Sequence, residues 1–197
     1  MRRAVAFVLS SLLPIAYSQA LPAASIASQN SLSTSTSLPF PTSTLSPNDT
    51  NTFLVSGWSL SRGRIQSQPD HLEFVTDPFP SNPVPITGNF PSDTNPTSPV
   101  LRVTYPQGSS SNRTGGSQFN SLWNSSTPFQ SMLLSYEVAF DAGFDWVKGG
   151  KLPGLRGGED SRDNGCSGGD RPDGSQCFST RLMWRQRGAG ESMLSKL

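Results

Sequence analysis

The chain is poor in the residues that most often advertise chemistry. Among 197 residues there is one histidine and two cysteines. A Ser-His-Asp triad would have to use His71, and nothing around Asp70-His71-Leu72-Glu73 resembles a nucleophile motif, so His71 reads as structural or surface. Charge is equally scarce. Lys, Arg, Asp and Glu make up 15% of the chain and nearly cancel, at a net +1. That excludes a basic nucleic-acid binder and a charged coiled coil. Hydrophobic residues reach only 34%, so a multi-span membrane protein is excluded too. Helical runs are also missing: no stretch of twelve residues combines helical spacing with caps.

Glycine and proline are plentiful instead, 18 and 17 respectively. Both break helix interiors, so the composition points to short strands joined by long loops. Strands are expected at Phe53–Trp58, Leu72–Val75, Val100–Tyr105, Met132–Asp141 and Cys177–Arg185. The alternation is cleanest in the last two. In Cys177–Arg185, Phe178, Thr180, Leu182 and Trp184 share one face, and Cys177, Ser179, Arg181, Met183 and Arg185 the other. The expected fold is all-β, a sandwich or jelly roll.

The N-terminus carries Arg2 and Arg3, then an apolar run from Ala4 to Ala16 interrupted only by Ser10 and Ser11. This is a signal-peptide pattern, too short for a membrane span. Cleavage is expected after Ser18, or nearby after Ala20. Losing residues 1–18 removes two arginines and no acid, which takes the net charge to −1. Any anionic ligand must then be held by a local cluster. Residues 19–52 form a Ser/Thr/Pro-rich stretch expected to be a disordered, O-glycosylated stalk. Residues 53–197 are expected to form the folded domain.

A secreted protein is the expectation, with no membrane attachment after cleavage and no nucleic-acid partner. Asn48, Asn112 and Asn124 head N-glycosylation sequons. Cys166 and Cys177 are expected to pair as a disulfide closing a 12-residue loop; such a bridge contributes about 3 kcal/mol in the chain-entropy account. A two-cysteine metal site lacks a nearby histidine. The acidic loop 160–165 places Arg162 and Arg171 where a calcium loop needs ligands.

The densest unusual block is Lys148-Gly-Gly-Lys-Leu-Pro-Gly-Leu155. With Gly165-Cys-Ser-Gly-Gly169, Cys177-Phe-Ser-Thr-Arg-Leu-Met-Trp-Arg185 and Gly188-Ala-Gly-Glu191, it resembles the fungal branch of polysaccharide lyase family 14. Val100-Leu-Arg-Val-Thr-Tyr-Pro-Gln-Gly-Ser109 and Gly115-Gly-Ser-Gln-Phe119 resemble it as well, over roughly residues 53–191. The resemblance implies a β-jelly roll and eliminative cleavage of polyuronates such as alginate or glucuronan, without cofactor or obligatory metal. Lys151 matches the family's active-site lysine, a base or carboxylate partner. Ser179 and Arg181 match its Ser-x-Arg pair, which would hold the uronate. Arg185, two pleats further on, extends the candidate substrate-binding set.

The sequence departs from the family after Gly188-Ala-Gly-Glu191. The family continues with Tyr-x-Tyr, and here Met193 and Ser195 stand at about those places. The expectation is a domain incomplete at its C-terminus, in which retention and loss of activity are equally compatible with the residues. Two other functions fit: a non-catalytic module that binds an acidic glycan through Lys151, Ser179 and Arg181, or a glycosylated cell-wall or surface protein.

Overall fold

The structure is a computed structural model that describes residues 21–79, 98–123, 127, 129–141, 143–158 and 177–195. The chain divides into two compact units, residues 1–35 and 36–197. The expected signal peptide, 1–18, lies outside the described residues.

In the first unit, Ala23–Gln29 forms a short helix, α1, that buries none of its residues. Asn30 ends it, its side-chain amide donating to the Ile26 carbonyl at 2.9 Å. Helix-favouring alanines and this cap oppose the structureless chain expected there.

The second unit corrects a further expectation. Phe53–Trp58 is not a strand: residues 53–57 belong to helix α2, Pro47–Gly57, and Trp58 caps its C-terminal end. Ser46 caps the helix, accepting from the Asp49 amide at 3.3 Å, and Pro47 occupies the first turn. Thr50 and Leu54 are fully buried and Trp58 nearly so, a spacing of four that places all three on one helical face. A short apolar run does not by itself tell strand from helix; here the cap upstream decides. The folded region therefore begins before Phe53. Leu38 and Leu45 pack against the core, and Leu45 bridges Phe74 in antiparallel fashion.

Strands β1 (Leu72–Val75) and β2 (Val100–Val103) pair antiparallel, Glu73 opposite Arg102. Those two side chains form an ion pair at 2.6 Å. Helix α2 covers β1 through a core of Leu54, Trp58, Leu60, Ile65, Leu72 and Phe74. Phe40, Phe53 and Trp58 set their rings at 5.4–6.3 Å from Phe74. Thr50 ties helix to strand: its hydroxyl donates to the Leu45 carbonyl at 3.3 Å and accepts from the Phe74 amide at 3.2 Å. His71, just before β1, places Nδ1 3.0 Å from the Gly116 carbonyl, next to the one-turn helix α3, Ser111–Thr114.

The second sheet is built on β5, Cys177–Trp184. β3 (Gly150–Lys151) and β4 (Arg156–Gly158) pair with opposite ends of one edge of β5, and β6 (Gly190–Ser195) pairs along the other. Every strand pairing is antiparallel, in two sheets, as in an all-β sandwich. Tyr105, just past β2, sets its ring edge-to-face on Trp184 with centroids 5.4 Å apart. Phe140, Phe144 and Trp146 complete this second aromatic cluster.

The expected strand Met132–Asp141 is absent: residues 131–141 carry no strand. Alternation makes a strand only where a neighbour supplies a ladder, and none among the described residues does. Tyr136 instead donates its hydroxyl to the Pro153 carbonyl at 3.1 Å, and Phe140 stacks on Trp146 at 4.7 Å. Leu133, Leu134 and Val138 are left exposed.

Candidate active site on β5

β5 alternates in burial over its first half, where the buried side is the polar one; at its far end Met183 and Trp184, on opposite faces, are both buried. Cys177, Ser179 and Met183 are buried, whereas Phe178 and Leu182 are exposed. Side chains at odd positions share a face, so Ser179, Arg181 and Met183 point the same way. Arg181 donates from Nη2 to the Ser179 hydroxyl oxygen at 3.3 Å. Ser179 is only 4% exposed, which makes it a support that orients Arg181 more than a group presented to a ligand.

Cross-strand partners share a face as well. Lys151 stands opposite Met183. It is therefore on the Ser179–Arg181 face, diagonal to Arg181 with Cα atoms about 7–8 Å apart. The structure thus brings Lys151, Ser179 and Arg181 to one face of one sheet. Lys151 is exposed and Arg181 half-buried.

A fourth residue joins them that sequence reasoning missed. Arg156 stands directly opposite Ser179. Lys151 and Arg156 are five positions apart, an odd separation that puts them on opposite faces of a regular strand. Between them the four residues Leu152–Leu155 face only three on β5, Thr180–Leu182. This one-residue bulge restores the parity and turns both cations to the same side. The Leu152 amide donates to the Leu182 carbonyl at 2.8 Å, and the Thr180 amide to the Leu155 carbonyl at 2.7 Å. Only the bulge count, invisible without the register, would have found Arg156.

The glycines of the block have steric reasons. A β-carbon on Gly154 would lie 1.8 Å from the Thr180 carbonyl oxygen. One on Gly150 would lie 1.9 Å from the Trp184 indole, whose ring lies over that glycine. Trp184 is opposite Gly150 on one side and Gly190 on the other, which leaves room for the indole. Bulge and strand thus meet backbone to backbone, and the tyrosine beside them is held to Pro153. Burial raises the Tyr136 phenol above its ordinary pKa.

On the far edge, β6 places Glu191 opposite Met183, Met193 opposite Arg181 and Ser195 opposite Ser179. The two positions at about which the resemblance expects tyrosines thus stand in register with Arg181 and Ser179, and both are occupied here by residues without a phenol. Arg185 does not stand apart as a ligand group: its Nε is hydrogen-bonded to the Glu191 carboxylate. That hydrogen bond raises Arg185 and lowers Glu191 from their ordinary values, each helped by the opposite charge. Glu191 is thus held by Arg185 at the end of the β5–β6 ladder.

Of the remaining expectations, Cys177 is disulfide-bonded, and Cys166 lies outside the described residues, as do Asn124 and the acidic loop 160–165. Asn48 is exposed in the first turn of α2, and Asn112 falls in α3. A shallow depression of about 350 Å³ is lined by Gln68, His71, Gln107 and Arg113; Lys151, Ser179 and Arg181 do not border it.

The sequence model of the family described as Polysaccharide lyase 14 matches residues 93–195. The match takes in both strands of the cationic edge, the bulge, β5 and β6, and leaves α2 and β1 outside. No curated protein and no solved structure matches. With more than half of its length matched, and with the lysine, serine and arginine of the block gathered on one sheet face, the chain belongs to polysaccharide lyase family 14.

Proposed function

We propose that this protein is a secreted lyase-like protein whose β5 face binds polyuronates and cleaves them by elimination. Family membership supports a lyase-like function on a polysaccharide. The acidic substrate is read from the cations. The observation that carries the reading is the shared face of Lys151 and Arg181, with Arg181 steadied by Ser179.

Elimination removes the C5 proton beside the uronate carboxylate, forms the C4–C5 double bond and breaks the C4–O bond. An ionised carboxylate makes that proton a poor acid. Arg181 answers this by taking up the charge that grows on the carboxylate in the transition state. Its planar guanidinium suits two parallel hydrogen bonds to a carboxylate. Lys151, diagonal to it, is the group that takes the proton. The leaving C4 oxygen needs a proton in turn. The test is incubation with alginate and with glucuronan, following the ultraviolet absorbance of the unsaturated product. A rise with the native chain that disappears in Lys151→Met supports the reading; no rise at high protein concentration sinks it.

A second reading has its own observation. Met193 and Ser195 stand in register with Arg181 and Ser179, and neither supplies a phenolic proton. The face then binds an acidic glycan without cleaving it. Salt-sensitive retention on immobilised polyuronate, lost in Arg181→Ala and unaccompanied by product, distinguishes this outcome.

A further inference from the structure

We infer that the depression lined by Gln68, His71, Gln107 and Arg113 holds a single hexuronate unit, at a site apart from the β5 face. The inference rests on that lining alone and stands whether or not the β5 face cleaves. Tyr105, the residue before the loop that forms one wall, packs its ring on Trp184 with centroids 5.4 Å apart. Trp184 is on the face of β5 opposite Ser179 and Arg181. The loop thus springs from the far side of the sheet, and Lys151, Ser179 and Arg181 do not line the depression.

The walls are tied together before a ligand arrives. The Gln68 side-chain amide nitrogen donates to the Arg113 carbonyl. His71 Nδ1 donates to the Gly116 carbonyl at 3.0 Å, and the Ser117 hydroxyl to the Ser67 carbonyl at 2.9 Å. The Ser109 amide closes a turn on the Pro106 carbonyl at 2.9 Å. A wall built this way loses little freedom on binding.

The same bonds fix what is left over. Gln68 has used a donor, so its carboxamide oxygen remains an acceptor. A carbonyl only accepts, so the proton of the neutral His71 ring is on Nδ1 and Nε2 remains an acceptor. Arg113 is exposed, its guanidinium forms no ion pair among the described residues, and no acid lines the depression. Gln107 and Ser109 add an amide and a hydroxyl. The lining therefore offers a cationic fork for a carboxylate and separate acceptors for hydroxyl groups. A bare anion would leave the acceptors unused, and a neutral sugar would gain nothing from the guanidinium. A uronic acid satisfies both. The volume of about 350 Å³ is at the small end of the range for ligand sites, ~300–1,000 Å³, which suits one sugar unit.

His71 is the only histidine, so its ring-proton resonances report on this depression and not on β5. The experiment follows them by NMR in the full chain, without a tag and at constant pH, during titration with glucuronate, with glucose and with inorganic phosphate. Glucuronate shifts them saturably, in the native chain and in Arg181→Gln and Lys151→Met alike. Glucose and phosphate each bind about tenfold more weakly or worse, because each forgoes one half of the recognition. Arg113→Gln brings glucuronate down to the level of glucose, and Arg113→Lys recovers part of the loss. An equal response to phosphate overturns the inference, since the site then takes any anion. An equal response to glucose overturns it too, since the carboxylate is then not read. So do the absence of a saturable shift, a shift that disappears in Arg181→Gln or Lys151→Met, and an Arg113→Gln chain that binds glucuronate as tightly as the native one. None of these outcomes touches the β5 reading, which product formation tests. Should Arg113→Gln unfold, Arg113→Lys carries the test: a several-fold loss for glucuronate with glucose unchanged supports the site, and unchanged glucuronate affinity overturns it.

Discussion

Gly154 and Thr180 touch backbone to backbone: a β-carbon on the glycine would sit 1.8 Å from the threonine carbonyl oxygen. This contact seats the bulge on the central strand and so sets where both flanking cations stand. No flexible side chain is available to yield, because the obstructing atoms are main chain. Gly154→Ala must push the bulge off β5, and overpacking of this kind costs about 1–3 kcal/mol. Thermal unfolding should show a lowered midpoint, with polyuronate binding reduced as well. Gly190→Ala is the control. A β-carbon there meets nothing within 4 Å, so its midpoint should stay close to that of the native chain.

The β6 positions offer a gain-of-function test. Met193 and Ser195 are level with Arg181 and Ser179. Restoring phenols with the double variant Met193→Tyr, Ser195→Tyr should raise the rate of ultraviolet-absorbing product formation on glucuronan, by about a hundredfold if the chain lacks only its proton donor. An unchanged rate would mean that the missing step lies elsewhere.

The Arg185–Glu191 pair predicts a pH dependence of the β5–β6 hairpin. Glu191 has a lower pKa folded than unfolded. Its contribution is therefore complete above the ordinary carboxylate range and lost as pH falls through the depressed folded value. Glu191→Gln should lower the melting midpoint slightly at neutral pH, and the difference from the native chain should vanish in acid. Both groups are exposed, so the difference should also shrink in salt.

Thr50 predicts a larger effect far from the candidate site. Its buried hydroxyl serves the Leu45 carbonyl and the Phe74 amide. Thr50→Val keeps the shape and removes both bonds, which should cost about 1–3 kcal/mol by denaturant unfolding. Product formation per folded molecule should not change.

How much of this was readable in advance follows from the physics of each element. β5 was legible because its alternation is regular and a one-step error would move every side chain across the sheet. The meeting of Lys151 with Ser179 and Arg181 was legible only through the family's block order. α2 was not, since Phe53–Trp58 is apolar enough for either structure and the deciding cap, Ser46, lies in what reads as low-complexity chain. Met132–Asp141 failed for the opposite reason: its pattern is a good strand pattern, but a strand needs a neighbour, and local sequence does not encode one. The polar inner face of β5 could not be inferred from hydrophobicity, which would bury Phe178 and Leu182 before Ser179.

The bulge at Leu152–Leu155 leaves this edge governed by counting as much as by chemistry. Exchange a residue there other than Gly154 and the two basic groups keep their common outlook. Delete a single residue and three would face three, so that the two basic groups, now four apart on an unbroken ladder, would share a side with no bulge at all.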